Sequence, residues 1–291
     1  METSELLKKV RKIEIKTRGL SNQIFSGEYH SAFKGRGMTF SEVREYMPGD
    51  PIRSIDWNVT ARFNAPFVKV FEEEREITLM LLIDVSGSAS FGSKSQTKRD
   101  LLTEVAAVLA FSASQNNDKI GLILFSESVE KYIPPKKGKS HVLRIIRELI
   151  DFQPVGQGTN INEALRFFNN VTKKRSIAFL ISDMLDTGFE KPLQIANRKH
   201  DLVALVARDR SEDQIPDMGL MPIRDLETNS VQWIDSSNKK VRSEYTKSLE
   251  ISRLKTKGLL RKTGVDFTEI YTGQSYVKPL MQLFKQRESR R

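Results

Sequence analysis

The chain has 291 residues, with 47 lysines and arginines against 37 aspartates and glutamates, a formal charge of +10, and no cysteine. That length allows either one large α/β domain with additions or two domains, with room for a sizeable core. The lack of cysteine excludes disulfides, thiolate metal sites and cysteine nucleophiles, while the positive charge leaves nucleic acid, anionic membrane or an acidic protein open as partners.

The opening "METSELLKKVRKIEIKTRGL" has no apolar core of signal-peptide length, and no window approaches the roughly 18 apolar residues of a membrane span. A soluble, cytoplasmic protein is expected. The basic clusters are short, "PPKKGK" at 134–139 and the terminal "KQRESRR". Such runs usually form a solvated loop or tail.

Residues 1–75 read as an extension expected to pack on a main domain spanning 76–291. Within it, "GRGMTFSEVREYMPGDPIRSIDWNVTARF" (35–63) concentrates Arg36, Arg44, Asp50, Arg53, Asp56 and Trp57 between glycine turns. This composition suits neither an amphipathic helix nor a regular strand. Arg44 with Asp50 and Arg53 with Asp56 are candidate structural ion pairs. Arg36 and Trp57 are candidates for a partner-binding surface, because Arg and Trp are enriched at binding hot spots.

From residue 77 onward, strand and helix patterns alternate. "ITLMLLI" (77–83) is a continuous apolar run, as expected of a strand covered on both faces. A helix over about 97–115 follows, with Leu101, Val105 and Val108 on one face and Leu102, Ala106 and Leu109 beside it. "KIGLILF" (119–125) is the next buried strand and "SVEKYIP" (128–134) its hairpin neighbour.

"SHVLRIIRELI" and "NINEALRFFNNV" read as helices opened by a capping Ser or Asn. "SIAFLIS" (176–182) and "DLVALVA" (201–207) are further buried strands with a helix-length segment between them. "MPIRDLE" and "VQWID" predict a small antiparallel addition, and a helix covers much of 240–262. A last strand, "GVDFTEIYT" (264–272), precedes a helix in "SYVKPLMQLFKQ" that Pro279 interrupts early. The alternation predicts an α/β fold: a Rossmann-like, open, mostly parallel sheet flanked by helices on both faces.

Asp84 ends the first central strand, at the carboxyl edge where ligands of open α/β sheets bind. "DVSGS" offers Asp84, Ser86 and Ser88, one carboxylate and two hydroxyls, from a single turn. "GQGTN" (156–160) adds Thr159 in a loop before a helix, and "FLISD" (179–183) adds Asp183 at the end of another strand. Mg²⁺ or Mn²⁺ favours oxygen ligands of this kind, taking one or two carboxylates with neutral oxygens and water. Each residue alone also fits a capping role: Asp84 and Ser86 for the following turn, Thr159 or Asn160 for a helix.

The ordered set Asp84, Ser86, Ser88, Thr159 and Asp183 resembles the metal-ion-dependent adhesion site of von Willebrand factor A domains. That resemblance implies hydroxyls of Ser86, Ser88 and Thr159 on Mg²⁺, the aspartates acting largely through water, and a partner's acidic side chain completing the shell. The 35–63 segment, with the terminal "GVDF…YTGQSYVKPLMQLFKQR", resembles the bacterial family called domain of unknown function 58, in which such a segment leads into an A-type domain. Members of that family commonly lie beside MoxR-type AAA+ ATPases and are thought to act with them in maturing or assembling other proteins.

Enzymatic patterns are not met. "PPKKGKS" has Ile133 where a phosphate loop needs glycine. "GRGMTF" fails the dinucleotide pattern. His30, His141 and His200 are scattered, and none lies near a serine in a nucleophile turn. The expectation is a metal-dependent protein-binding module without enzymatic activity. The alternatives are a basic nucleic-acid-binding protein, for which no aromatic-and-basic stacking motif is present, and a metal-dependent hydrolase.

Overall fold

The computed structural model describes residues 39–63, 65–72, 77–93, 96–226 and 230–290. These divide into two compact units that part between Ile77 and Thr78.

In the smaller unit, strand β1 (Thr39–Glu45) pairs antiparallel with β2 (Phe67–Glu72), and helix α1 (Trp57–Phe63) lies between them in sequence. The segment read as neither helix nor strand thus contains both. A register irregularity between Phe40 and Glu42 breaks the two-residue period by which a strand is recognised.

Arg44 grips Asp50 with two hydrogen bonds of 2.9 and 2.8 Å, and the Met47 amide donates to the same carboxylate, closing the turn after β1. This is the ion pair expected from the sequence. Asp56 differs: it accepts the Asn58 and Val59 amides at the start of α1, and its cation is Lys69 at 3.4 Å rather than Arg53. The pairing of β2 brings Lys69 there, a contact remote in sequence. Trp57 is 67% exposed, and Arg36 lies outside the described residues.

The larger unit is built on a six-stranded sheet. Its members are β3 (Thr78–Asp84), β6 (Lys119–Phe125), β7 (Val129–Lys136), β8 (Ile177–Ser182), β9 (Asp201–Arg208) and β12 (Asp266–Tyr271). The order is β12-β9-β8-β3-β6-β7, parallel throughout except for β7, which runs antiparallel to β6 at the edge. This is the predicted open α/β sheet. A two-residue ribbon, β4 (Gly92–Ser93) with β5 (Gln96–Thr97), precedes the first crossover helix.

The helices of this unit are α2 (Lys98–Gln115), α3 (Lys139–Asp151), α4 (Ile161–Val171), α5 (Glu190–Lys199), α6 (Lys239–Lys262) and α7 (Val277–Ser289). Met80 and Leu82 of β3, Ile123 of β6 and Leu180 of β8 join Leu165 of α4, Leu193 of α5 and Leu260 of α6 in one core. Alternate strand residues face the other way, where Phe179 meets Phe284 of α7 edge-on. Helix α2 is buried on nearly all sides, beyond the two predicted faces. Among the described residues, no helix is long and apolar enough to cross a membrane.

Two helix starts differ from expectation. Gly138, not Ser140, precedes α3, and no side chain caps it. Pro279 does not interrupt α7 but sits in its first turn, where the missing N–H has no intrahelical acceptor to lose. The predicted antiparallel addition is the hairpin β10 (Leu220–Arg224) with β11 (Val231–Asp235).

Candidate metal centre

Asp84 closes β3 at the middle of the sheet's carboxyl edge, flanked by the ends of β6 and β8. It is 2% exposed. Its Oδ1 accepts the Ser86 amide at 2.9 Å, and its Oδ2 accepts the Ser182 hydroxyl at 2.7 Å. Burial and the neighbouring Asp183 carboxylate push its pKa up to about 7, against the hydrogen bonds from Ser86 and Ser182. A carboxylate held close to Asp84 in a dry site disfavours the ionisation of Asp84, and a cation placed beside it would reverse that.

The turn after Asp84 enters a short 3-10 segment, Gly87–Ser90. Ser86 precedes it but makes no capping bond with its side chain. Its hydroxyl instead lies 3.1 Å from that of Ser88. The capping role therefore falls to Asp84, through its bond to the Ser86 amide. Both serine hydroxyls gather on one side of the turn.

The loop that carries Thr159 is fixed from several directions. The Gly87 amide donates to the Gln157 carbonyl at 2.8 Å, and the Asn160 amide to the Ser126 carbonyl at 2.8 Å. Glu130 accepts the Val155 and Gly156 amides at 2.8 and 3.0 Å and also the Ser126 hydroxyl. Glu127 accepts the Gly158 amide at 3.0 Å, and Asp186 the Ile161 amide at 2.8 Å. Asn160, not Thr159, caps α4 by accepting the Glu163 amide.

Gly87 and Gly156 permit this closeness. A Cβ on Gly87 would lie 2.1 Å from the Leu226 carbonyl oxygen, and one on Gly156 would lie 2.5 Å from Ser126 Oγ. The turn after β10 therefore reaches the Asp84 turn.

Asp183 follows β8 and is also buried. Its Oδ2 lies 3.0 Å from Lys98 Nζ, and Oδ1 accepts the Leu185 amide at 3.3 Å. Lys98, the first residue of α2, also pairs with Glu212 Oε1 at 2.5 Å. Burial opposes its charge, but Asp183 and Glu212 outweigh burial and hold its pKa above the ordinary lysine value. Beneath them, buried Arg208 donates to the Asp183 carbonyl at 2.9 Å.

The five predicted residues thus lie on three loops at one sheet edge. Asp84, Ser86 and Ser88 are joined directly, Asp183 stands beside Asp84, and the Thr159 loop is hydrogen-bonded to Gly87. Ser182, Lys98, Glu212 and Glu130 were missed by sequence reasoning. Only Ser182 carried a local signal, as the residue before Asp183.

One or two carboxylates with several neutral oxygens suit a hard divalent cation that keeps its waters. Among the described residues, no group of three or more His, Cys, Asp or Glu side chains is arranged to hold a metal. A hydroxyl-rich site does not require one. His141 bonds the Ile120 carbonyl and His200 meets Ser176, both away from Asp84, and His30 lies outside the described residues.

The family model described as Protein of unknown function DUF58 matches residues 42–255, and the chain belongs to that family. It is 24% identical to Uncharacterized protein Rv1480 of Mycobacterium tuberculosis, over 99% of this chain and 91% of that protein. It is 28% identical to Uncharacterized protein YeaD of Bacillus subtilis, over 38% of this chain and 25% of that protein.

Among solved structures, the conserved hypothetical protein BatB from Bacteroides thetaiotaomicron is similar with a TM-score of 0.47 at 16% identity, covering 73% of this chain and 99% of that one. The VWA domain of SpRpn10 is similar with a TM-score of 0.38 at 11% identity, covering 72% of this chain and 94% of that one.

Proposed function

We propose that this chain is a metal-dependent protein-binding module in which Mg²⁺ or Mn²⁺, held by Asp84, Ser86, Ser88, Thr159 and Asp183, receives an Asp or Glu of a partner. The observation that carries the reading is the grouping of two adjacent serine hydroxyls with a buried aspartate in one turn, beside Asp183 and against the Thr159 loop. When bound, the cation would supply the positive charge that a partner's carboxylate needs in order to dock there. The chain's own residues do the rest: Ser182 and Ser86 fix Asp84, and Glu127, Glu130 and Asp186 fix the Thr159 loop.

Val155, 92% exposed, and Leu185 stand on two loops flanking this group. Apolar side chains held on braced loops suit a protein surface better than a small ion or a nucleic-acid backbone. The engagement of the carboxylates supports binding rather than turnover. Asp84 is engaged by Ser86 and Ser182, and Asp183 by Lys98, so neither stands ready as a general base.

The family resemblance supplies the partner class, a MoxR-type AAA+ ATPase acting with this chain in maturing or assembling other proteins. The cysteine-free composition goes with a cytoplasmic location. The test is capture of the purified ATPase from the same cell by wild type and Ser86→Ala, with Mg²⁺ or with chelator. Capture by wild type in Mg²⁺ alone supports the reading, and capture unchanged by chelator and by the substitution overturns it.

A further inference from the structure

Lys98 is an unusual residue to find here. Its side chain is 2% exposed, and its ammonium lies between Asp183 Oδ2 at 3.0 Å and Glu212 Oε1 at 2.5 Å. A lysine at the first position of a helix normally extends into water, where its charge is solvated. This one is turned inward, and the pair it makes with Asp183 is equally buried.

The arrangement is deliberate in its support. Thr97 and Asp100 form a reciprocal capping box around Lys98, with Thr97 Oγ1 accepting the Asp100 amide and Asp100 Oδ2 accepting the Thr97 amide. Glu212 is held by a second capping box at the end of β9, with its Oε2 accepting the Asp209 amide at 3.3 Å. Asp209 in turn accepts the Thr272 hydroxyl at 2.5 Å, tying the segment to the end of β12. Two separate segments thus converge to keep one ammonium on Asp183.

The electrostatic consequence is direct. Asp84, Asp183 and Glu212 contribute up to three negative charges at this edge, and Lys98 cancels one of them permanently. A divalent cation approaching Ser86 and Ser88 meets Asp183 with its charge already shared and one of its oxygens occupied. Unit charges separated by a few ångströms interact strongly enough, even at the effective dielectric of about 20 that describes partly buried sites, to change an affinity by a large factor. The lysine therefore weakens any cation the chain holds by itself, while a carboxylate arriving from a partner would replace the missing negative charge.

We propose that Lys98 sets the charge of the candidate centre so that the chain alone binds the divalent cation weakly and binds it firmly only together with a partner's carboxylate. This inference rests on the reading of these residues as a cation site. It makes the cation and the partner mutually dependent, since each raises the affinity of the other by the same factor. Lys98 acts in it as a tuning residue, through Asp183, without ligating the cation.

The test is calorimetric titration of the full chain with Mg²⁺, and separately with Mn²⁺, for wild type, Lys98→Met and Glu212→Gln, with circular dichroism to establish that each is folded. Removing the buried positive charge should tighten cation binding at least about tenfold in Lys98→Met. Removing one negative charge should weaken it several-fold in Glu212→Gln. A residue that merely supported the fold would weaken binding when replaced, so the tightening is diagnostic. If Lys98→Met does not fold, Glu212→Gln alone decides, and an affinity equal to or above wild type overturns the inference.

If wild type binds the cation and folded Lys98→Met binds it no tighter, the inference fails while the cation reading stands. If neither wild type nor either variant takes up the cation, the cation reading itself fails. If only Lys98→Met binds, the inference is supported in its strongest form.

Discussion

The Ser182 hydroxyl donates to Asp84 Oδ2 at 2.7 Å, joining the carboxyl ends of neighbouring strands β8 and β3. Ser182 Oγ in turn accepts the Met184 amide at 3.0 Å, so Ser182 relays between the strand end and the turn that follows it. Replacing it with alanine leaves a buried carboxylate oxygen and a buried amide without this partner. Such a loss costs roughly 1–3 kcal/mol. Denaturant unfolding of Ser182→Ala should show a destabilisation of that size, and an unchanged midpoint would contradict the assignment.

Glu130 holds the Val155 and Gly156 amides, and glutamine offers only one acceptor oxygen where the carboxylate offers two. Hydrogen bonds to charged groups contribute about 1.5–3 kcal/mol. In Glu130→Gln the amides of residues 155 and 156 should exchange with solvent roughly tenfold faster or more, with helix α4 beyond them unchanged. Exchange at the wild-type rate would show that the loop is held by its other bonds.

The core on the α4 and α5 face depends on Leu180, fully buried at the centre of β8 among Met80, Ile123 and Leu165. A leucine-to-alanine change in such a place costs about 2–5 kcal/mol, according to how far the cavity collapses. Leu180→Ala should therefore lower stability within that range. A loss below about 1 kcal/mol would mean the site repacks far more freely than its neighbours allow.

His200 gives the fold an acid-sensitive point. It is 1% exposed, its Nδ1 lies 3.1 Å from the Ser176 hydroxyl, and its ring packs on Phe168. Burial, then the charges of Lys199 and Arg175, bring its pKa down to about 4. The unfolded chain takes up this proton near its ordinary value, and the folded chain only near 4. The stability contributed by the neutral ring is thus present above the unfolded value and is lost as pH falls toward 4, at up to about 1.4 kcal/mol per pH unit. His200→Gln should flatten the stability curve across that window, and an unaltered acid limb would contradict this origin.

The sheet was legible because its strands are buried on both faces. "ITLMLLI", "KIGLILF" and "SIAFLIS" are apolar runs without competing helical period, and β3, β6 and β8 occupy them almost residue for residue. Asp84, Ser86 and Ser88 were legible because they fall in one turn. Lys98 and Glu212 were not, since a lysine opening a helix and a glutamate in a loop each read as surface charge. The burial of Lys98 and the partial burial of Glu212 arise only when α2 and the segment after β9 meet at Asp183, 85 residues from Lys98. Strand β1 was hidden by its register irregularity, and the Asp56–Lys69 pair by hairpin pairing that no local pattern encodes.

The central claim is that a divalent cation sits on the Asp84 turn, and its most direct test is Mn²⁺ binding followed by electron paramagnetic resonance, for wild type and Ser86→Ala. Ser86 contributes a hydroxyl without capping the turn, so its loss should leave the circular dichroism spectrum unchanged. The account expects one Mn²⁺ per wild-type chain, displaced by Mg²⁺, with affinity at least about tenfold lower in the variant. Absence of a bound signal in wild type and in Lys98→Met alike, or equal affinity in Ser86→Ala, would contradict it.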